Sequence, residues 1–194
     1  MNSRASSLTI YDLIRPSSRW LELPVLLSFN LLLVASSYLA INLPFSPVPI
    51  TGQTFGVLLV AMTLGRARGT AVVLAYLVEG AAGLPVFAGG KAGLAALMGP
   101  TGGYLLGFLA AAWIVGLLAD KGWDRGYVKS ILAMTLGTAV IFVCGLTQLS
   151  LFVPADTLSA VGLYPFLPAA AVKITVASVM LPSIWKFLGS RNQD

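Results

Sequence analysis

Histidine is absent from this 194-residue chain, cysteine occurs once, at Cys144, and only 10% of the residues are charged. A lone cysteine cannot close an internal disulfide. Without histidine there is no Cys/His metal site and no histidine general base. The shortage of charge excludes more. Soluble domains carry about a quarter charged residues, whereas here 57% are hydrophobic and the mean hydropathy is +0.88. The chain reads as an integral membrane protein, with room for about six spans at roughly 20 residues per ~30 Å hydrocarbon core. The basic face with interleaved exposed aromatics that nucleic-acid binding requires is missing, so the pI near 9.6 comes from loop charges. The first twenty residues are basic but hold no short apolar core with a small-residue cleavage site. They read as a cytoplasmic segment leading into a retained first span.

What charge there is falls in a pattern. Ten of the twelve Lys and Arg lie in four clusters: Arg4, Arg15 and Arg19; Arg66 and Arg68; Lys121, Arg125 and Lys129; Lys186 and Arg191. Apolar runs separate the clusters, and the alternate gaps are nearly free of positive charge. Cytoplasmic loops carry the Lys/Arg excess, so the pattern predicts an all-α, six-transmembrane-helix bundle with both termini cytoplasmic. The expected organisation is a single membrane domain over 1–194: a cytoplasmic segment at 1–19, the bundle at 20–188 and a cytoplasmic tail at 189–194. The second and third spans, near 54–64 and 70–84, are short for full crossings. They either borrow length from flanking segments or cross a locally occluded region.

The loops predicted outside are dense in glycine and proline. "PFSPVPITGQ" has three prolines in six residues (Pro44, Pro47, Pro49), and the stretch from Gly80 to Gly103 is glycine-rich. Irregular backbone at membrane depth persists only where protein or a water-filled cavity satisfies its N–H and C=O groups. Such loops on one side point to a pocket opening there, against the plainer alternative that they bend helices and allow close packing.

Two cations stand outside the clusters. Lys173 lies five residues after Pro168, inside the sixth span, where a central charge costs about 2.5 to 3.5 kcal/mol. It is a candidate ligand cation or half of a buried ion pair, against a snorkelling side chain. Lys91 sits in the glycine-rich loop, where solvent exposure is the simpler reading. Glu79 is the acid inside a hydrophobic run, placed to pair with Lys173, to accept from a ligand, or to rest at the interface. Gln53, at the start of a span, both donates and accepts. The "FAGGKAG" run fails the phosphate-loop pattern, because Pro85 stands at the first glycine and Ala92 at the hydroxyl position. No ATPase motif is present, so the chain reads as a non-enzyme with no catalytic residues and no metal.

"PVPITGQTFGVLL" (47–59), "GLPVFAGG" (83–90), "GPTGGYLLGF" (99–108) and "YPFLPAAAVKI" (164–174) together resemble the BioY family, biotin-specific S components of energy-coupling factor (ECF) transporters. The resemblance runs from about the first span to the sixth, in order. It implies a six-helix bundle that takes biotin from the outer face under the first outer loop and the loop between spans three and four. It further implies assembly in a prokaryotic cell membrane with a transmembrane coupling protein and two ATPase subunits, which drive toppling and inward release. No other cofactor is implied. A solitary biotin transporter, or an S component for a related carboxylate-bearing vitamin, is the alternative. Candidate substrate-binding residues are Gln53, Glu79, Phe87, Gly89, Gly90, Lys91, Tyr104, Tyr164 and Lys173. One position departs from the family's last block, where an Asp and a Lys one turn apart reach the ligand: here Lys173 is kept but Ala170 takes the Asp position. A ligand group left without its buried partner costs about 1 to 3 kcal/mol, and Glu79 is the expected substitute acceptor.

Overall fold

The computed structural model describes residues 9–14 and 19–191. Arg4, Arg15 and the last residues of the expected tail lie outside the described residues. The elements are α1 (Ile10–Ile14), α2 (Arg19–Tyr38), the two-residue strands β1 (Ala40–Ile41) and β2 (Ile50–Thr51), α3 (Gln53–Ala81), α4 (Leu94–Met98), α5 (Gly102–Asp120), α6 (Tyr127–Leu149), α7 (Leu158–Gly162) and α8 (Leu167–Arg191).

The sequence predicts six spans. Among the described residues, five helices are long and apolar enough to cross a membrane, and the longest, α3, is broken in two. Gly65 has φ 76° and ψ −177°, a backbone conformation open to glycine and costly for residues with a Cβ. The chain reverses there. A Cβ on Gly69 would lie 2.9 Å from Ala61 Cα, and Gln53 hydrogen-bonds to Tyr76, contacts impossible along one straight rod. The arms, residues 53–64 and 66–81, are the two short runs seen in the sequence, and counted by arms the bundle has six rods.

At the turn Asp120, the last residue of α5, accepts from the Arg66 backbone N–H at 3.3 Å, meeting an N–H that the new helix leaves open. α3 and α5 are the most buried rods, while α2 and α8 leave most of their apolar surface facing outward. α5 reaches α6 through small residues, as membrane helices do: a Cβ on Gly103 would fall 2.3 Å from Cys144 O.

The described members of the basic clusters gather at one end. Arg68 pairs with Glu22 at 2.8 Å and Asp12 at 3.6 Å and lies 4.7 Å from the ring centre of Tyr11, tying α1 and α2 to the hairpin. In the link between α5 and α6, Asp124 is fully buried. Its Oδ2 accepts from Trp185 Nε1 of α8 at 2.5 Å, and Arg125 stacks on the same indole at 4.4 Å. Burial pushes the Asp124 carboxyl up to about 6. A raised folded pKa means that the folded state holds the proton more tightly than the unfolded chain. The stability this contributes is complete below the ordinary carboxylate pKa and is lost as pH rises through about 6. Asp124→Asn keeps an acceptor for Trp185 and removes the titration. The parent's Tm is expected to rise when the detergent-solubilised protein is taken from pH 7.5 to 5, and the substitution to flatten that rise. An unchanged slope would remove Asp124 as its source.

The three irregular loops meet at the opposite end. β1 pairs antiparallel with β2, closing the 42–49 loop, whose Ser46 donates to Val161 O at 2.6 Å. Tyr38 donates to Pro85 O at 2.6 Å, and Gln148 of α6 donates to Leu97 O and Gly99 O at 2.9 and 2.8 Å. Loop backbone that would otherwise lack partners is thereby satisfied.

Candidate functional site

Under these loops lies a cavity. Its walls come from the 48–54 segment, the 87–101 loop and the facing sides of α5, α6 and α8, and apolar side chains predominate, among them Phe87, Tyr104, Phe108, Ile141, Phe142 and Phe166.

Lys173 is the polar centre. Pro168 near the start of α8 suits a position with no helical N–H to satisfy. The helix then carries Lys173 six residues beyond Leu167, about 9 Å at 1.5 Å per residue. Its Nζ donates to Thr51 O at 2.5 Å and Thr54 Oγ1 at 2.8 Å. These acceptors are neutral. An ammonium has three donors, so one remains for a ligand.

Gln53 is buried and belongs to a relay. Thr51 Oγ1 donates to Gln53 Oε1 at 3.1 Å, Gln53 Nε2 to the Tyr76 hydroxyl at 2.5 Å, and Tyr76 in turn to Val86 O at 2.9 Å. The chain of bonds connects the segment touched by Lys173 to the loop over the cavity. Phe87, 2% exposed, stands edge-on to Tyr76 at 5.6 Å between ring centres, in space left by Gly80. Tyr104 lines the wall and donates to Gly162 O at 2.8 Å.

Of the nine residues singled out from the sequence, Gln53, Phe87, Lys91, Tyr104 and Lys173 line the cavity, and four do not. Gly89 and Gly90 turn the loop between Phe87 and Lys91 with φ 68° and 74° and act through backbone shape. Tyr164 is 62% exposed. It lies in a 3₁₀ turn, Tyr164–Phe166, whose three-residue period places residues two apart on different faces, so Phe166 takes the wall. Glu79 faces α2, where its Oε1 accepts from Asn30 Nδ2 at 3.2 Å, and it is not among the lining residues; the acceptor expected of it at Ala170 is not at hand. The lining also includes Thr51, Thr54, Thr101 and Thr138, which the sequence reading passed over. Thr51 and Thr54 adjoin Gln53 in a quoted motif, whereas Thr138 has no signal beyond a hydroxyl in an apolar run.

A largely apolar cavity with one deep ammonium, a second lysine at its edge and no catalytic constellation defines a multi-pass membrane protein that binds a small molecule. A family model described as the BioY family matches residues 14–190, and the chain belongs to that family. It is 38% identical over 153 residues to "Biotin transporter BioY" of Thermotoga maritima, covering 78% of this chain and 88% of the relative. It is 36% identical over 140 residues to "Probable biotin transporter BioY" of Pyrococcus horikoshii, covering 72% and 82%. The crystal structure of "the S-component for biotin from an ECF-type ABC transporter" superposes with a TM-score of 0.73 at 25% identity, covering 88% of this chain and 95% of that one.

Proposed function

We infer that this chain is the biotin-binding S component of an ECF-type transporter and takes its ligand into the cavity beneath the glycine- and proline-rich loops. The observation that carries this is Lys173, an ammonium held by two neutral acceptors at the wall of a cavity otherwise mostly apolar. Biotin matches that surface with an apolar bicycle and chain, a ureido carbonyl as acceptor, and a carboxylate. Phe87, Tyr104 and Phe166 enclose the apolar part, while Gln53 holds Thr51 and Tyr76 in place. In this reading the protein sits in a prokaryotic cell membrane with its basic end towards the cytoplasm and its cavity outward, an orientation that the Lys and Arg distribution supports. With no phosphate-binding loop of its own, the chain draws energy from a coupling protein and two ATPase subunits.

Calorimetric titration of the purified, detergent-solubilised protein with biotin tests the reading. Saturable one-to-one binding is expected, and a folded protein that releases no heat with biotin and leaves its tryptophan fluorescence unchanged would end it. Uptake measured with and without a co-expressed coupling module separates the ECF component from a solitary transporter. Glu79→Gln is expected to alter the biotin Kd less than about twofold, roughly 0.4 kcal/mol, because Glu79 meets Asn30 and lies outside the cavity lining. A tenfold loss would restore Glu79 as the acceptor missing at Ala170.

A further inference from the structure

We propose that the seam between α6 and α8 holds one anionic phospholipid at the basic end of the bundle, with its phosphate against Lys186 and the Tyr127 hydroxyl and its acyl chains along the seam. The site is separate from the cavity and does not depend on what the cavity binds.

The headgroup corner is built from two helices that pack against each other. Tyr127 opens α6, and the Lys186 Nζ of α8 lies 5.0 Å from the centre of its ring. The Tyr127 hydroxyl is close to the same ammonium. An ammonium over an aromatic face keeps N–H groups that point away from the ring. Ser183, one turn earlier on α8, gives its own donor to Val179 O at 2.7 Å. The ammonium and the phenol are therefore the donors turned to a phosphate here. Arg125, over the neighbouring Trp185 at 4.4 Å, brings a second positive charge to this end of α8. Tyrosine at the membrane–water boundary with lysine beside it suits a lipid headgroup.

Two features select an anionic lipid. The first is charge. The described acids of this end are engaged elsewhere: Asp124 is buried and accepts from Trp185, Asp120 meets the Arg66 N–H, and Glu22 and Asp12 pair with Arg68. Lys186 is exposed and has no carboxylate within ion-pair distance among the described residues. The second feature is the apolar track that leads away from it. Ile131 lies one turn from Tyr127 on the same side of α6, and Val179 and Val176 lie one and two turns from Ser183 on α8. All three are exposed. Both rows run from the headgroup corner towards the middle of the spans. A soluble anion would use the corner alone, whereas a phospholipid fills corner and track together.

The test is native mass spectrometry of delipidated, detergent-solubilised protein titrated with dioleoyl phosphatidylglycerol or dioleoyl phosphatidylcholine, which share chains and phosphate and differ in net charge. The parent is expected to bind the first phosphatidylglycerol about fivefold more tightly than phosphatidylcholine, the effect of one lysine beside an anionic headgroup. Lys186→Gln is expected to bring the two lipids to within about twofold of each other. Lys129→Gln makes the same charge change about 200° round α6 from Tyr127 and is expected to keep the preference. Tyr127→Phe is expected to weaken both lipids about threefold, because the phosphate it meets is common to them. Both lysines are exposed, and melting curves level with the parent's are expected for every variant. Equal losses from the two lysine substitutions would mean general attraction to the basic end and overturn the site. A parent that binds both lipids alike, or a preference that survives Lys186→Gln, overturns it too. Glycerol 3-phosphate, a headgroup without chains, is expected not to displace the lipid at millimolar concentration. Displacement would assign the corner to a soluble phosphate and end the lipid reading.

Discussion

Replacing Lys173 by methionine is expected to weaken biotin binding by about a hundredfold or more while leaving the protein folded. Hydrogen bonds to charged groups contribute about 1.5 to 3 kcal/mol each. The substitution removes the bond to the ligand together with the two that hold the 51–54 segment, at Thr51 O and Thr54 Oγ1. Methionine keeps the length and apolar stem, so the wall does not open into a void. Thermal stability is expected to stay level or to rise, since a half-buried cation without an anionic partner no longer needs desolvation. Calorimetry for affinity and a melting curve for fold keep these effects apart. A Kd within threefold of the parent would mean that the ammonium turns from the cavity towards the headgroups.

The second large effect is expected from a single methyl group. A Cβ on Gly80 would lie 2.0 Å from Phe87 Cζ and 2.3 Å from its Cε1, far inside van der Waals contact, and a planar ring has no small adjustment that clears it. Gly80→Ala is thus expected to eject Phe87 from its seat. With Phe87 goes the loop anchored at the same place, where Gly80 O accepts from Gly83 and Gly93 N–H at 3.1 and 2.7 Å. Overpacking of this kind costs about 1 to 3 kcal/mol, and biotin affinity is expected to fall at least tenfold because the cavity loses its cover. Combining it with Phe87→Ala is expected to recover the Tm but not the affinity. Parent-like binding by Gly80→Ala alone would show that the seat of Phe87 is dispensable.

The charge pattern and the loop composition made the bundle and its open end legible in the sequence, because both follow from the cost of placing charge or unsatisfied backbone in hydrocarbon. Lys173 was legible for the same reason. Glu79 illustrates the limit. An acid inside an apolar run must find a partner, but the run does not name it; the partner is Asn30, another polar residue in another apolar run, and the choice between Asn30 and a ligand depends on the rotation of α2 against the hairpin. Gln53 was noticed as a group able to donate and accept, yet which bonds it makes depends on Tyr76, brought beside it by the reversal at Gly65. Tyr164 and Phe166 were separated by a 3₁₀ turn whose period leaves little mark in three residues.

The reversal at Gly65 also sets how deep the ligand sits. The arms of 12 and 16 residues are about 18 and 24 Å long at 1.5 Å per residue, against a hydrocarbon core of about 30 Å. Because both start from the basic end, the shorter one stops roughly 12 Å below the far surface of the core. The loops and the cavity occupy that missing length, while the 20-residue α2 alongside is long enough to cross the full slab. A molecule held in that cavity would lie below the headgroups, and the passage left to it would be correspondingly less than one membrane thickness.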